Sequence, residues 1–150
     1  MQGMVSSQPP SGTPRAAGAA EAMFDADVAS RGLGMELLRV GSGTAVVSMR
    51  VTPAMINGHG IAHGGYVFML ADTAFGCACN SHGQPTVAAG ADISFIAPVR
   101  EDETLVAVAA ERVSYGRSGI YDVTVRRGDV VVAEFRGRSR AAGRLGEVTD

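Results

Sequence analysis

The chain has almost no cysteine, no excess of basic charge and no long uninterrupted apolar run. Its only cysteines, Cys77 and Cys79, stand two apart in a stretch with a helical pattern. At that spacing the side chains point to different faces, which argues against a disulfide between them. Reduced thiols fit a cytoplasmic protein. With 13 basic against 15 acidic residues the formal charge is −2, whereas a general nucleic-acid binder needs a basic excess to displace counterions from phosphates. A local arginine patch facing a small polyanion remains compatible with that balance. The nearest approach to a membrane span, Gly65 to Ala78, falls short of the roughly 18 apolar residues required and contains Asp72. The opening MQGMVSSQPPSGTPRAAGAA lacks the continuous apolar core of a secretory signal. Its Pro, Gly, Ser and Ala content offers little to pack, which predicts a mobile tail over residues 1–20. No internal repeat, GxSxG elbow, phosphate-binding glycine loop, HExxH or paired CxxC occurs, so serine-hydrolase, nucleotide-triphosphatase and zinc-site readings have no motif behind them.

At 150 residues the chain suits one domain with a real core. EAMFDADVASRG carries apolar residues at helical intervals and a glycine stop, predicting a short helix from Glu21 to Arg31. GMELLRV and GTAVVSMRVT flank GSG as a hairpin, the second strand alternating Ala45, Val47, Met49 and Val51 with Thr44, Val46, Ser48 and Arg50. Pro53 to Gly60 reads as a loop, and Gly65 to Asn80 as a helix apolar on nearly every side, hence buried all round. SHGQP ends that helix. Four strand-like runs follow, TVAAGADISFIAP, ETLVAVAAERVSY, SGIYDVTVRR and DVVVAEFRGRS, with RRGD as a tight turn, before a C-terminal tail over residues 141–150. The expected architecture is α+β, one long central helix wrapped by a curved antiparallel sheet.

Asp72 is the puzzle in this pattern, a carboxylate inside the most apolar run, where burying its charge is costly. Asn57, His59, His63, Gly64 and Gly65 precede it at short intervals. These residues admit three readings. The loop polar groups and glycines can be purely structural, with Asp72 satisfied by local donors. His59 and His63, with His82 or a cysteine, can be metal ligands, although the pair lies in a glycine-rich loop with no helix to hold it. Alternatively, the unpaired N–H groups of Gly64 and Gly65 at the helix start form an oxyanion hole, where the helix dipole favours developing negative charge and glycine lets a carbonyl approach.

The motif NxHGxxHGG, followed by LADTAFGCACNS, ISFIAP, IYDVTV and VAEFRGRS, resembles the PaaI-type (phenylacetic acid degradation) hotdog thioesterases over residues 21–140. The resemblance implies hydrolysis of acyl-coenzyme A thioesters, often aryl-acetyl ones, without metal or cofactor. It assigns the oxyanion donor to the Gly64 N–H and the catalytic carboxylate to Asp72, as general base or as nucleophile. Asn57 matches the residue that positions water or the thioester, and His63 the one that orders the loop. The Ser or Thr that some relatives place on the next strand has no counterpart in Ala88, Ala89 and Gly90.

Gly64 and Asp72 are eight residues apart on one expected helix, about 12 Å along its axis. If both act on one carbonyl the carboxylate must come from a second chain, which predicts a homodimer with shared active sites. Relatives often pair further into a homotetramer. Coenzyme A ends in a phosphorylated nucleotide that arginines bind well. Arg136, Arg138 and Arg140 share a strand face while Arg112 and Arg117 flank a turn, and Arg117 and Arg138 are the candidates taken forward. Gly65, Phe68 and Phe75 are the candidates for the acyl side of the substrate site. Two rival functions are a hotdog hydroxyacyl-thioester dehydratase and a non-catalytic acyl-CoA-binding protein, the latter needing no carboxylate at Asp72.

Overall fold

The computed structural model describes residues 14–142. Helices α1 (Pro14–Asp25) and α2 (Val28–Gly32) precede the hairpin β1 (Glu36–Gly41) and β2 (Thr44–Arg50). The central helix α3 (Gly64–Cys79) then leads into β3 (Thr86–Phe95), β4 (Thr104–Tyr115), β5 (Ser118–Arg127) and β6 (Val130–Ala141). The strands form one sheet in the order β1-β2-β4-β5-β6-β3, with every neighbouring pair antiparallel. This is the expected α+β arrangement. No helix among the described residues is long and apolar enough to cross a membrane.

Period-two burial sets the inner face of the sheet. Ala45, Val47 and Met49 on β2, Leu105, Ala107 and Ala109 on β4, and Val123 and Val125 on β5 are each at most 1% exposed. They meet Leu70, Ala71, Ala74 and Phe75 of α3 in one apolar cluster. The Phe75 ring packs against Tyr121 and Phe135 at centroid distances of 5.5 and 5.8 Å. A Cβ on Gly137 would come within 2.8 Å of that ring, so glycine is what lets β6 close onto the helix.

The N-terminal region departs from the sequence expectation in two ways. The single helix expected over Glu21–Arg31 is two helices, because the Asp27 side chain accepts from the Ser30 N–H and caps a new start at α2. Aspartate competes for backbone donors in this way and favours caps over helix interiors. The first helix also begins at Pro14, well inside the segment expected to be a tail. Proline fits a first helical turn, and alanine is the best helix former even where it adds little bulk; Ala20 is fully buried. Strand β6 runs on to Ala141, the first residue of the tail expected over 141–150, and the remainder of the two expected tails, residues 1–13 and 143–150, lies outside the described residues.

The central helix is not buried all round. Gly65 is exposed, and Met69, Asp72 and Gly76, which follow at intervals of four, three and four residues, are only half-buried. Those intervals trace one helix face, and the chain's own sheet covers the opposite one. Strand β3 also stands apart, since none of its 10 residues is buried and one of its edges is unpaired.

Candidate active site

The loop before α3 is folded by its own polar groups. The Asn57 Oδ1 accepts from the backbone N–H of His59 at 2.9 Å and of Ile61 at 3.3 Å, leaving the Asn57 amide NH2 as its only donor. The His63 N–H donates to Met55 O and the Ala62 N–H to Val99 O, pinning the loop to the strand connection beyond β3. His63 is the N-cap of α3: its Nδ1 accepts from the Gly65 N–H at 3.0 Å, which places the proton of the neutral ring on Nε2. The Tyr66 N–H donates to His63 O. The Gly64 N–H has no acceptor among the described residues, so the helix head offers one free donor where the sequence allowed two.

That donor sits on a cavity of about 490 Å³ lined by Asn57 and Gly64 together with Val67, Phe95, Ile96 and Val132. The Phe95 ring closes on Gly64 so tightly that a Cβ there would lie 2.9 Å from it. Phe95 and Ile96 are each 57% exposed despite their size. Neither was singled out from the sequence, although an apolar pair breaking the strand alternation just before a proline was a usable signal. The cavity therefore joins a polarising N–H, an amide donor and apolar walls.

Asp72 is not on it. Two turns further along α3, it is half-buried and has no hydrogen-bond or ion-pair partner among the described residues. Burial holds its carboxyl above the ordinary carboxylate range, and the nearby negative charge of Asp27 pushes in the same direction. A carboxyl poised in this way is suited to receive a proton. Its neighbour Thr73 bonds through Oγ1 to the Ser30 Oγ at 2.8 Å.

The remaining candidates are dispersed. Phe68 is partly buried, edge-to-face on Phe135 at 5.3 Å. Phe75 is a core side chain, 1% exposed. Gly65 has its N–H committed to His63. Arg138 is exposed and bonds Asp92 at 3.1 Å across the sheet surface, while Arg136 holds Asp122 through two bonds at 2.7 and 3.0 Å. Arg117 lines a separate cavity of about 310 Å³ with Cys79, His82 and Glu111; Cys79 ends α3, about 22 Å from Gly64 along the helix axis. Geometry thus unites Asn57, His63 and Gly64 and leaves Asp72, Phe75, Arg117 and Arg138 elsewhere in the chain. As for metal ligation, no three His, Cys, Asp or Glu side chains converge among the described residues. His82 pairs with Glu111 at 3.4 Å, and burial pushes both cysteine thiols up to about 12.

One apolar helix wrapped by one antiparallel sheet, its head left open beside the edge strand, is the hotdog arrangement. Residues 59–134, from the loop histidine into β6, match the thioesterase superfamily, and the chain belongs to it. It is 42% identical to the acyl-coenzyme A thioesterase PaaI of Escherichia coli K12, over 83% of this chain and 89% of that protein. It is 44% identical to a putative esterase of Deinococcus radiodurans, over 87% of this chain and 85% of that one. The solved structure of the E. coli PaaI protein superposes with a TM-score of 0.83 at 41% identity, covering 86% of this chain and 94% of that one. A mutant of the phenylacetic acid degradation protein PaaI from Thermus thermophilus superposes at 0.75 and 33% identity, covering 77% and 100%.

Proposed function

We propose that the protein is an acyl-CoA thioesterase, hydrolysing aryl-acetyl or medium-chain acyl-CoA to the free acid and CoA without a cofactor. The observation that carries this reading is the free Gly64 N–H opening onto an apolar cavity. The acyl group lies in the cavity, its carbonyl oxygen toward Gly64, with the Asn57 amide as a further donor to the carbonyl or to water. As base, Asp72 takes a proton from water while the water oxygen bonds to the carbonyl carbon. The oxyanion so formed is held by the Gly64 N–H, and its collapse breaks the carbon–sulfur bond, the departing thiolate receiving the proton. As nucleophile, Asp72 attacks the carbon itself, expels the thiolate, and leaves an anhydride that water hydrolyses. His63 holds the helix head in place for either course.

Asp72 and Gly64 are about 12 Å apart along α3, so each site takes Asp72 from one copy and Gly64 and Asn57 from another. The free edge of β3 and the partly covered stripe Gly65, Met69, Asp72 and Gly76 support such a homodimer. A long unprotected edge strand is a template for pairing, and two-fold pairing sets the two copies of α3 side by side in opposite directions. Asp72 of the partner subunit then lies near the head of this helix. Two such dimers form a homotetramer, the surface arginines Arg117 and Arg138 serve the CoA phosphates across subunits, Phe68 borders the acyl group, and the location is cytoplasmic.

A thiol-release assay over a panel of acyl-CoA esters, including phenylacetyl and medium-chain ones, tests the reading. Turnover of at least one class is expected. Water elimination from a hydroxyacyl thioester without thiol release, or tight binding of every ester without turnover, would overturn it.

A further inference from the structure

A partly buried chain of hydrogen bonds runs from the N-cap of α2 to the residue beside Asp72. The Ser30 N–H donates to Asp27 Oδ1 at 2.9 Å, and the Ser30 hydroxyl donates to Asp27 Oδ2 at 2.6 Å. The Ser30 Oγ also lies 2.8 Å from the Thr73 Oγ1. Ser30, at the centre of the chain, is 1% exposed, while Asp27 and Thr73 at its ends are half-buried. Capping α2 requires only the first of the three bonds. The other two have a polarity fixed by proton count. Serine has one hydroxyl hydrogen, and both Asp27 oxygens accept, one from the Ser30 N–H and one from the Ser30 hydroxyl. With the Ser30 hydrogen given to Asp27, the bond to α3 forms only if Thr73 donates. Thr73 has then spent its own hydrogen and presents lone pairs alone.

We propose that Asp27 and Ser30 are positioning residues that fix the Thr73 hydroxyl as an acceptor beside Asp72, so that the attacking water donates one hydrogen bond to each neighbour and gives up its proton to Asp72 alone. The proposal rests on Asp72 acting as general base. A water whose hydrogens are both engaged in this way has its lone pair left for the thioester carbon, and the relay sets that orientation before substrate arrives. Thr73 and Asp72 are consecutive on α3 and both half-buried. The influence of Asp27 on the Asp72 carboxyl places the same charge within electrostatic reach. Thr73 would then take the place on the helix of the hydroxyl residue that Ala88, Ala89 and Gly90 lack on the strand.

Asp27→Asn gives a sharp test because it keeps an acceptor for the Ser30 N–H, and so the cap, while reversing the relay. The new amide donates to the Ser30 Oγ, the Ser30 hydrogen turns to Thr73, and the Thr73 hydrogen is freed toward water. Asp27→Asn, Ser30→Ala, Thr73→Val and Thr73→Ser are assayed for thiol release in the intact protein, with kcat and KM separated and melting temperature recorded. Asp27→Asn and Thr73→Val should each lower kcat by about tenfold or more with KM within about threefold, and Thr73→Ser should restore most of it. Ser30→Ala should lower kcat alone yet add nothing in a Thr73→Val background, because both act through one hydroxyl. Wild-type kcat in Asp27→Asn and Ser30→Ala, or losses that multiply in the double variant, would overturn the relay. Asp72→Asn is run alongside: if it is inactive while those variants are not, the relay alone fails, and if it stays active the base assignment falls and the relay with it.

Discussion

The head of α3 and its midpoint are eight residues apart and built on opposite terms. At the head, local bonds engage the Asn57 oxygen, the His63 Nδ1 and the Gly65 N–H, while the Gly64 N–H and the Asn57 amide have no partner among the described residues and belong to residues lining an apolar cavity. At the midpoint Asp72 has no partner, lies near a second carboxylate, and is pushed toward its neutral form. On the proposed mechanism the first region holds the electrophile, whereas the second is the base and has nothing to act on within its own chain. On that reading a single chain carries two unlike half-sites, and each supplies what the other lacks.

Removing the midpoint carboxylate should have the largest effect. Asp72→Asn preserves shape and should lower turnover by about 10²–10⁴, the range for a positioned base; thiol-release activity within tenfold of wild type would return Asp72 to a structural role. Next, Gly64→Pro removes the free donor at a helix position where proline is tolerated, behind a His63 already in the extended conformation at ψ 132°. Its ring would collide with Phe95, so it is compared with Phe95→Ala alone and in combination. The combined variant should lose about 10²–10³ in kcat relative to Phe95→Ala, the loss expected for one oxyanion donor. The two lesions also test which half-sites meet. A purified heterodimer of differently tagged Asp72→Asn and Gly64→Pro subunits holds one doubly damaged site and one intact site on the shared-site reading, and should regain up to about half of wild-type activity. A heterodimer no better than its parents would break the comparison.

The smallest effect is on stability, and its sign is opposite. Because the folded Asp72 carboxyl titrates above its unfolded counterpart, the folded chain binds the extra proton. Ionising Asp72 therefore costs stability at pH values above the raised value, and the cost fades as pH falls to the ordinary carboxylate value of about 3.9. Asp72→Asn should melt higher than wild type at neutral pH, with the gain shrinking on acidification in thermal scans. A variant that melts lower at neutral pH would mean that the carboxylate is compensated.

What the sequence made legible was whatever period and local geometry control. The alternation of Ala45, Val47 and Met49 marked a strand face, and the glycine pairs marked the hairpin turns and the helix head. The open stripe of α3 was hidden because Gly65, Met69 and Gly76 carry no charge to advertise it. The break at Asp27 was hidden because apolar spacing runs through it while one side-chain bond decides otherwise. In the site, Asn57, His63 and Gly64 share one loop and could be read together. Phe95 reaches Gly64 only because the course of β3 brings that end of the strand back to the helix head. Arg138 shares its strand face with Arg136 as the alternation predicts, but which face looks toward a ligand is a property of the assembly.

The unpaired edge of β3 also carries a kinetic consequence. Each chain can complete its sheet and core before any site exists, so on the shared-site reading a newly made subunit is folded but silent. Below the dimer dissociation constant, activity would grow with the square of subunit concentration rather than in proportion to it. Dilution would act as an off-switch that needs no ligand, and the edge strand would make catalytic output a measure of how much of the protein a compartment holds.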